Sequence, residues 1–190
     1  MEEIKSEVED DLLPKGPDAA GHEYVEIAGI KWATMNVGAN SVTDYGLYFQ
    51  WGDVQGYTAE QVGSGEGQKA FIWADYKYSN GGSSASDMTK YNSTDGKTVL
   101  ETIDDAARAN WGGSWRMPTT EELQALEEAV NAEWITDYNG SGINGLLCID
   151  KTDSTKTLFF PAAGYAVEES VYSVDNGVEI WSSSLGSNNI

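Results

Sequence analysis

WGGSWRMPTTEEL, residues 111–123, packs two tryptophans, a glycine pair, an arginine, a proline and a helix start into one short segment. Pro118 biases Met117 towards extended backbone. Thr119 then suits an N-cap, because its hydroxyl can accept from the backbone N–H three residues on. Glu122 stands at the spacing that reaches back, which makes a capping box. Glu121 and Glu122 also favour the positive end of the helix dipole. The helix continues as EELQALEEAV. Leu123, Leu126 and Val130 fall on one stripe at steps of three and four, with Glu127 and Glu128 largely outside it. The pattern predicts an amphipathic helix with one buried side.

Upstream, Gly112 and Gly113 allow positive φ, which lets Trp111 and Trp115 leave the turn in separate directions. Burying both rings would contribute several kcal/mol, at roughly 25 cal/mol per Å². Arg116 reads as a buried structural link between loop and helix, with Asp104 and Asp105 as its candidate partners. The sharper alternative is a ligand-binding arginine. Adjacent acids at a helix start are more often caps or ion-pair partners than acid–base catalysts.

The totals narrow the function. A chain of 190 residues is one domain by default. Against 31 acids stand 11 bases, a formal charge of −20, and such a field repels phosphate backbones. Nucleic acid is therefore not an expected partner. Cys148 is the single cysteine, so neither an intramolecular disulfide nor a cysteine zinc cluster can form, and it reads as a small buried hydrophobe. His22 is the single histidine, and it adjoins an acidic tail unsuited to a rigid triad. Asp150, Asp153 and Asp175 lack EF-hand spacing and read as turn acids facing water, so no metal or cofactor is indicated. No apolar run is long enough to span a membrane.

Residues 1–22 read as an acidic tail or linker, disordered or loosely docked, and 23–190 as the folded domain. Tyr24 to Ala33 suggests two short strands around a turn at Ala28 and Gly29, with Trp32 and Met35 entering the core. Tyr45 to Trp51 looks like a buried strand or extended core segment. Residues 52–98 are turn-rich. Between GSGEG (63–67) and NGGSSAS (80–86) lies KAFIWADYKYS, carrying Trp73, Tyr76 and Tyr78. These three either pin the long loop to the core or face outward and stack on a ligand; with Tyr172 they are the candidate ligand-binding residues. Ile103, Ala106, Ala107 and Ala109 suit a short helix. NGSGINGLLCID (139–150) and KTLFFPAAGYAV (156–167) read as a hairpin, and Val178 to Trp181 as another short strand.

Five motifs then recur in a set order: GIKWATMNVGA (29–39), DYGLYFQWGD (44–53), TVLETIDDAARANWGGSWRMPTTEEL (98–123), FFPAAGY (159–165) and IWSSS (180–184). Together they resemble the major paralogous domain family of Bacteroidetes and Fibrobacter, a group of secreted or surface proteins. The resemblance implies an α+β, C-type lectin-like fold: two helices flanking a small twisted antiparallel sheet, with long loops that carry binding surfaces. Trp111, Gly113, Trp115, Arg116, Asp105 and Trp181 would then be structural. It also implies an extracellular or outer-surface setting, the acidic tail being similar to the linkers that follow the lipid anchor of surface lipoproteins.

Three departures from the pattern matter. No Glu-Pro-Asn or Gln-Pro-Asp tripeptide is present, so calcium-dependent sugar binding is not implied. One cysteine cannot supply the copper-binding pair of the related formylglycine-generating enzymes. Only LGSNNI follows WSSS, where the family continues through further strands, so the resemblance implies a last strand missing or supplied by a partner, and with it strand exchange into an oligomer. The expectation is a non-enzymatic binding or adhesion module for a protein or glycan. A structural subunit of a surface assembly and an enzyme of unrecognised type are the alternatives.

Overall fold

Ala28 and Gly29 both take positive φ, 55° and 74°, the backbone of a tight two-residue hairpin turn. The turn joins β1 (Tyr24–Ile27) to β2 (Ile30–Ala33) in antiparallel register, with Val25 opposite Trp32. This computed structural model describes residues 21–186; the expected tail lies outside the described residues except for Gly21 and His22.

Two α-helices follow among the described residues. Asp105 caps α1 (Ala106–Trp111) by accepting from the Arg108 N–H. The capping box at α2 (Thr120–Ala129) forms as read from the sequence: the Thr119 hydroxyl accepts from the Glu122 N–H, and the Glu122 carboxylate accepts from the Thr119 N–H at 2.8 Å. Val130, placed on the helix stripe by periodicity, is instead the first residue of β3 (Val130–Ile135), which leaves the helix without a loop. β3 pairs with β4 (Gly145–Asp150), which pairs with β5 (Thr157–Pro161), a three-stranded antiparallel sheet in the order β3-β4-β5. A small hairpin of β6 (Tyr165–Val167) and β7 (Ser170–Tyr172) completes an α+β architecture made mostly of sheet and loops. The β4–β5 hairpin was legible; β3 and the β6–β7 hairpin were not.

The first core lies where the β1–β2 hairpin and α2 meet the sheet. Ile27, Trp32, Leu126, Val130, Cys148 and Leu158 bury together, so Cys148 is the packed hydrophobe its neighbours suggest. The rest of the chain is organised by loops. Tyr45 to Trp51 is extended but makes one isolated bridge, Tyr48 with Tyr57, instead of a strand. Val178 to Trp181 forms no strand, only a parallel bridge from Val178 to Gly164. Ile103, expected on a helix face, sits 74% exposed in a 3-10 turn.

Those loops close around a second core of Tyr76, Tyr78, Met88, Tyr91 and Leu100. At its centre is the Asp104 carboxylate, 1% exposed. It pairs with Lys77 Nζ at 2.8 Å and with Lys90 Nζ, and accepts from the Tyr91 hydroxyl at 2.6 Å. Tyr91 is fully buried with φ 60°, a left-handed backbone that the surroundings must hold in place. Its N–H donates to Asp95 and its hydroxyl accepts from the Glu101 N–H. Burial alone would raise the Asp104 carboxyl. Hydrogen bonds from Lys77, Lys90, Tyr78 and Tyr91 outweigh it and hold the group well below the usual carboxylate range. Burial first, and then Asp104, push the Tyr91 phenol up to about 12.

The folded pKa of Asp104 is therefore below its unfolded value. Its contribution is complete above about pH 4 and is lost as pH falls through the folded value. Asp104→Asn strips Lys77 of its counter-charge, leaves Lys90 with Glu101 alone, and should cost about 3 kcal/mol in urea unfolding at neutral pH. It should also flatten part of the loss of stability below pH 4, measured as unfolding midpoints across an acid series.

Candidate functional site: an aromatic-walled cleft

The loops, the β1–β2 hairpin and the β6–β7 hairpin do not close on one another. Between them runs an open cleft of about 1730 Å³. Its walls carry Trp51, Trp73, Trp111, Trp115 and Trp181 together with Tyr45, Phe49 and Tyr165.

Each ring is held by a different device. Trp181 donates its indole N–H to the Phe49 carbonyl at 2.9 Å while its side chain stays exposed; at 55% it is the most exposed tryptophan described. Trp51 donates to the Ser182 carbonyl at 2.9 Å and meets Tyr91 edge-on at 5.1 Å, which ties this wall to the Asp104 core. Trp73 opens a 3-10 turn, Trp73–Asp75, and rests edge-on against Tyr76 at 5.4 Å, leaving 38% of itself exposed. Tyr165 stacks on Tyr172 across the β6–β7 hairpin at 5.9 Å. Gly164 roots that hairpin with φ 65°, and a Cβ there would lie 1.9 Å from the Tyr172 carbonyl oxygen, so only glycine fits.

The serines of IWSSS stitch the last described segment into place. Ser183 donates its N–H to the Pro118 carbonyl and accepts from the Leu100 N–H, and the Thr120 hydroxyl donates to Ser182. This stitching sets Trp181 at the rim. Phe71 pairs with Glu168 in an antiparallel bridge, which brings the Phe71–Trp73 segment to the β6–β7 turn. The exposed apolar side chains Ile72, Trp73, Tyr165, Val167, Ile180 and Trp181 thus gather on the lining of one cleft.

The sequence-based site set divides. Trp73 and Tyr172 are exposed, Trp73 on the lining and Tyr172 behind Tyr165. Tyr76 and Tyr78 are each 9% exposed and pin the loop, and Tyr76 also borders the cleft where Tyr78 does not. Tyr76 donates its hydroxyl to the Trp51 carbonyl, and Tyr78 packs edge-on against Tyr91. Trp181, expected as a structural residue, belongs to the rim. Trp111 and Trp115 do not diverge: their rings meet at 5.5 Å, with His22 at 4.5 Å from Trp111, although Gly112 and Gly113 take the expected positive φ.

Arg116 is a clear correction. It pairs with Glu122, not with Asp104 or Asp105, and its side chain is 49% exposed. Glu122 was already committed to the capping box, so one carboxylate serves both cap and arginine. The Arg116 guanidinium, ahead of the opposing effect of burial and with help from the Thr119 N–H, holds the Glu122 carboxyl below its ordinary value. Asp105 is spoken for by the Arg108 and Met117 N–H groups. Among the described residues, no three of His, Cys, Asp and Glu converge in a way that could hold a metal ion. No helix of the described residues is long and apolar enough to cross a membrane.

The chain matches no protein-family model, no curated protein and no solved structure. Its site is therefore read from geometry alone. Sequence reasoning missed Phe49, Tyr165, Glu168 and Glu179, which reach the cleft only through isolated bridges and a hairpin that carry no periodic signal.

An exposed pair contributes little, because solvent screens it and ordering two long side chains costs entropy. Arg116→Ala should cost no more than about 1 kcal/mol in urea unfolding. Glu122→Ala should cost more than Arg116→Ala, because it removes the arginine's partner and half of the capping box together.

Proposed function

We propose that this protein is a binding module of C-type lectin-like type, working outside the cell or on its surface without catalysis, and that the aromatic cleft is where it holds its ligand. The observation that carries the reading is the rim. Trp181 has its polar edge satisfied and its ring left exposed, beside Trp73 and Tyr165. Rigid, half-exposed aromatic rings supply large contact area at small entropic cost. A monomer that leaves several such residues on one concavity offers a binding surface. The cleft exceeds the roughly 300–1,000 Å³ of ordinary small-molecule sites, which favours a protein segment or an extended glycan over a metabolite. The acids weighed for acid–base work support the same reading, since Asp104 is neutralised by lysines and Asp105 caps a helix.

The outer edge of β3 favours a second reading, a subunit joined through strand addition. Among the described residues β3 pairs only with β4, and Trp134 stands 44% exposed on it.

Array screening against glycans and proteins tests the first reading. Any ligand found should lose at least about tenfold in affinity, ~1.4 kcal/mol, on Trp181→Ala with the melting temperature unchanged. A ligand indifferent to Trp181 would remove the cleft from the account. Light scattering tests the second: assembly through β3 should be lost in Trp134→Lys.

A further inference from the structure

We propose that the cleft takes a cationic segment of a partner protein, with arginine side chains stacked on Trp181 and Trp73 and paired with Glu168 and Glu179. This rests on the reading of the cleft as the binding site and adds the chemistry of its occupant.

Two bases lie on the cleft wall, and both are engaged: Arg116 with Glu122, and Lys31 over the Tyr24 ring at 5.1 Å. The acids Glu168 and Glu179 also lie on the wall, and among the described residues their carboxylates have neither an ion-pair nor a hydrogen-bond partner. Glu168 sits at the bridge to Phe71, and Glu179 stands two residues before Trp181. Acids with no counter-charge therefore flank the exposed rings. Gln50 also borders this wall, held by the bond from its Nε2 to the Ile72 carbonyl.

Aromatic faces beside free carboxylates call for one kind of side chain. A guanidinium is planar, weakly hydrated, and rich in donors with no acceptor, so it can stack on an indole and donate to a carboxylate together. A lysine ammonium meets the charge but not the plane. The chain as a whole carries 31 acids against 11 bases, and that field steers cations towards it and repels acidic surfaces. The volume of the cleft, about 1730 Å³, suits several consecutive side chains more than one small cation.

The probe is an N-acetylated, C-amidated hexa-arginine peptide, titrated by tryptophan fluorescence and calorimetry. Saturable one-to-one binding is expected, weakening about tenfold or more between about 50 and about 300 mM sodium chloride. Trp181→Ala and the double variant Glu168→Gln/Glu179→Gln should each weaken it about tenfold. The double variant Glu127→Gln/Glu128→Gln, on the outer face of α2, should change it less than about twofold. Equal losses in the two glutamate pairs would mean diffuse attraction to an acidic protein and overturn the proposal. A neutral oligosaccharide whose binding needs Trp181 but ignores salt and Glu179 would overturn the cationic occupant and leave the cleft as the site. Wild-type binding of every probe by Trp181→Ala would overturn both.

Discussion

One buried carboxylate holds the loop half of this protein together. Asp104 stands in the middle of a core that has no strand running through it, and it takes two lysines and a tyrosine hydroxyl from two separate parts of the chain, Lys77 and the adjacent pair Lys90 and Tyr91. A lone charge at 1% exposure would be prohibitive; with its partners it becomes a hub from which the surrounding loops hang. Tyr91 accepts a left-handed backbone because its hydroxyl must reach that hub and its ring must fill the core. Trp51 leans on Tyr91, and its indole N–H fixes Ser182. The position of Trp181 one residue before Ser182 is thus inherited, contact by contact, from an aspartate it never touches.

The division of labour between the two halves follows from this. The β1–β2 hairpin, α2 and the three-stranded sheet bury mostly aliphatic side chains around Trp32 and form the base. The loop half buries aromatic rings around a charge. Aromatics there do two jobs, and burial separates them: Tyr76, Tyr78 and Tyr91 face inward, while Trp73 and Trp181 keep ring surface open. A cleft remains because rings this large, crossing edge to face, fill a core without closing the space beside it.

What could be read from the sequence was whatever is local. The capping box at Thr119 and Glu122, the turn at Ala28 and Gly29, the β4–β5 hairpin and the burial of Cys148 all depend on neighbours within a few residues, and each formed as read. What could not be read depended on side-chain orientation and on contacts brought in from elsewhere in the chain. Arg116 has two acids upstream, yet Glu122 at the helix start is both nearer in sequence and already oriented by its cap. Tyr76 and Tyr78 look like Trp73 in a window of ten residues, so the sequence leaves loop pin and ligand contact both open, and only the return of Leu100 and Asp104 decides which rings are covered. Glu168 reaches the cleft through its bridge to Phe71, and Glu179 follows Val178, which bridges to Gly164; no periodicity could have nominated either pairing.

The turns themselves carry one more consequence. Asp44, Asp87, Asp95, Asp105, Asp150 and Asp153 each accept from backbone N–H groups, and these bonds close loops where strands are absent. Part of the acidity of the chain therefore also builds the fold, while each of these carboxylates keeps its charge. Amide hydrogens such as those of Tyr91 and Met117 sit in such bonds, outside any helix or strand. Deuterium exchange would meet islands of slow amides inside segments that look like coil. The map of protection and the map of secondary structure would disagree here, because carboxylates do the work that ladders do elsewhere.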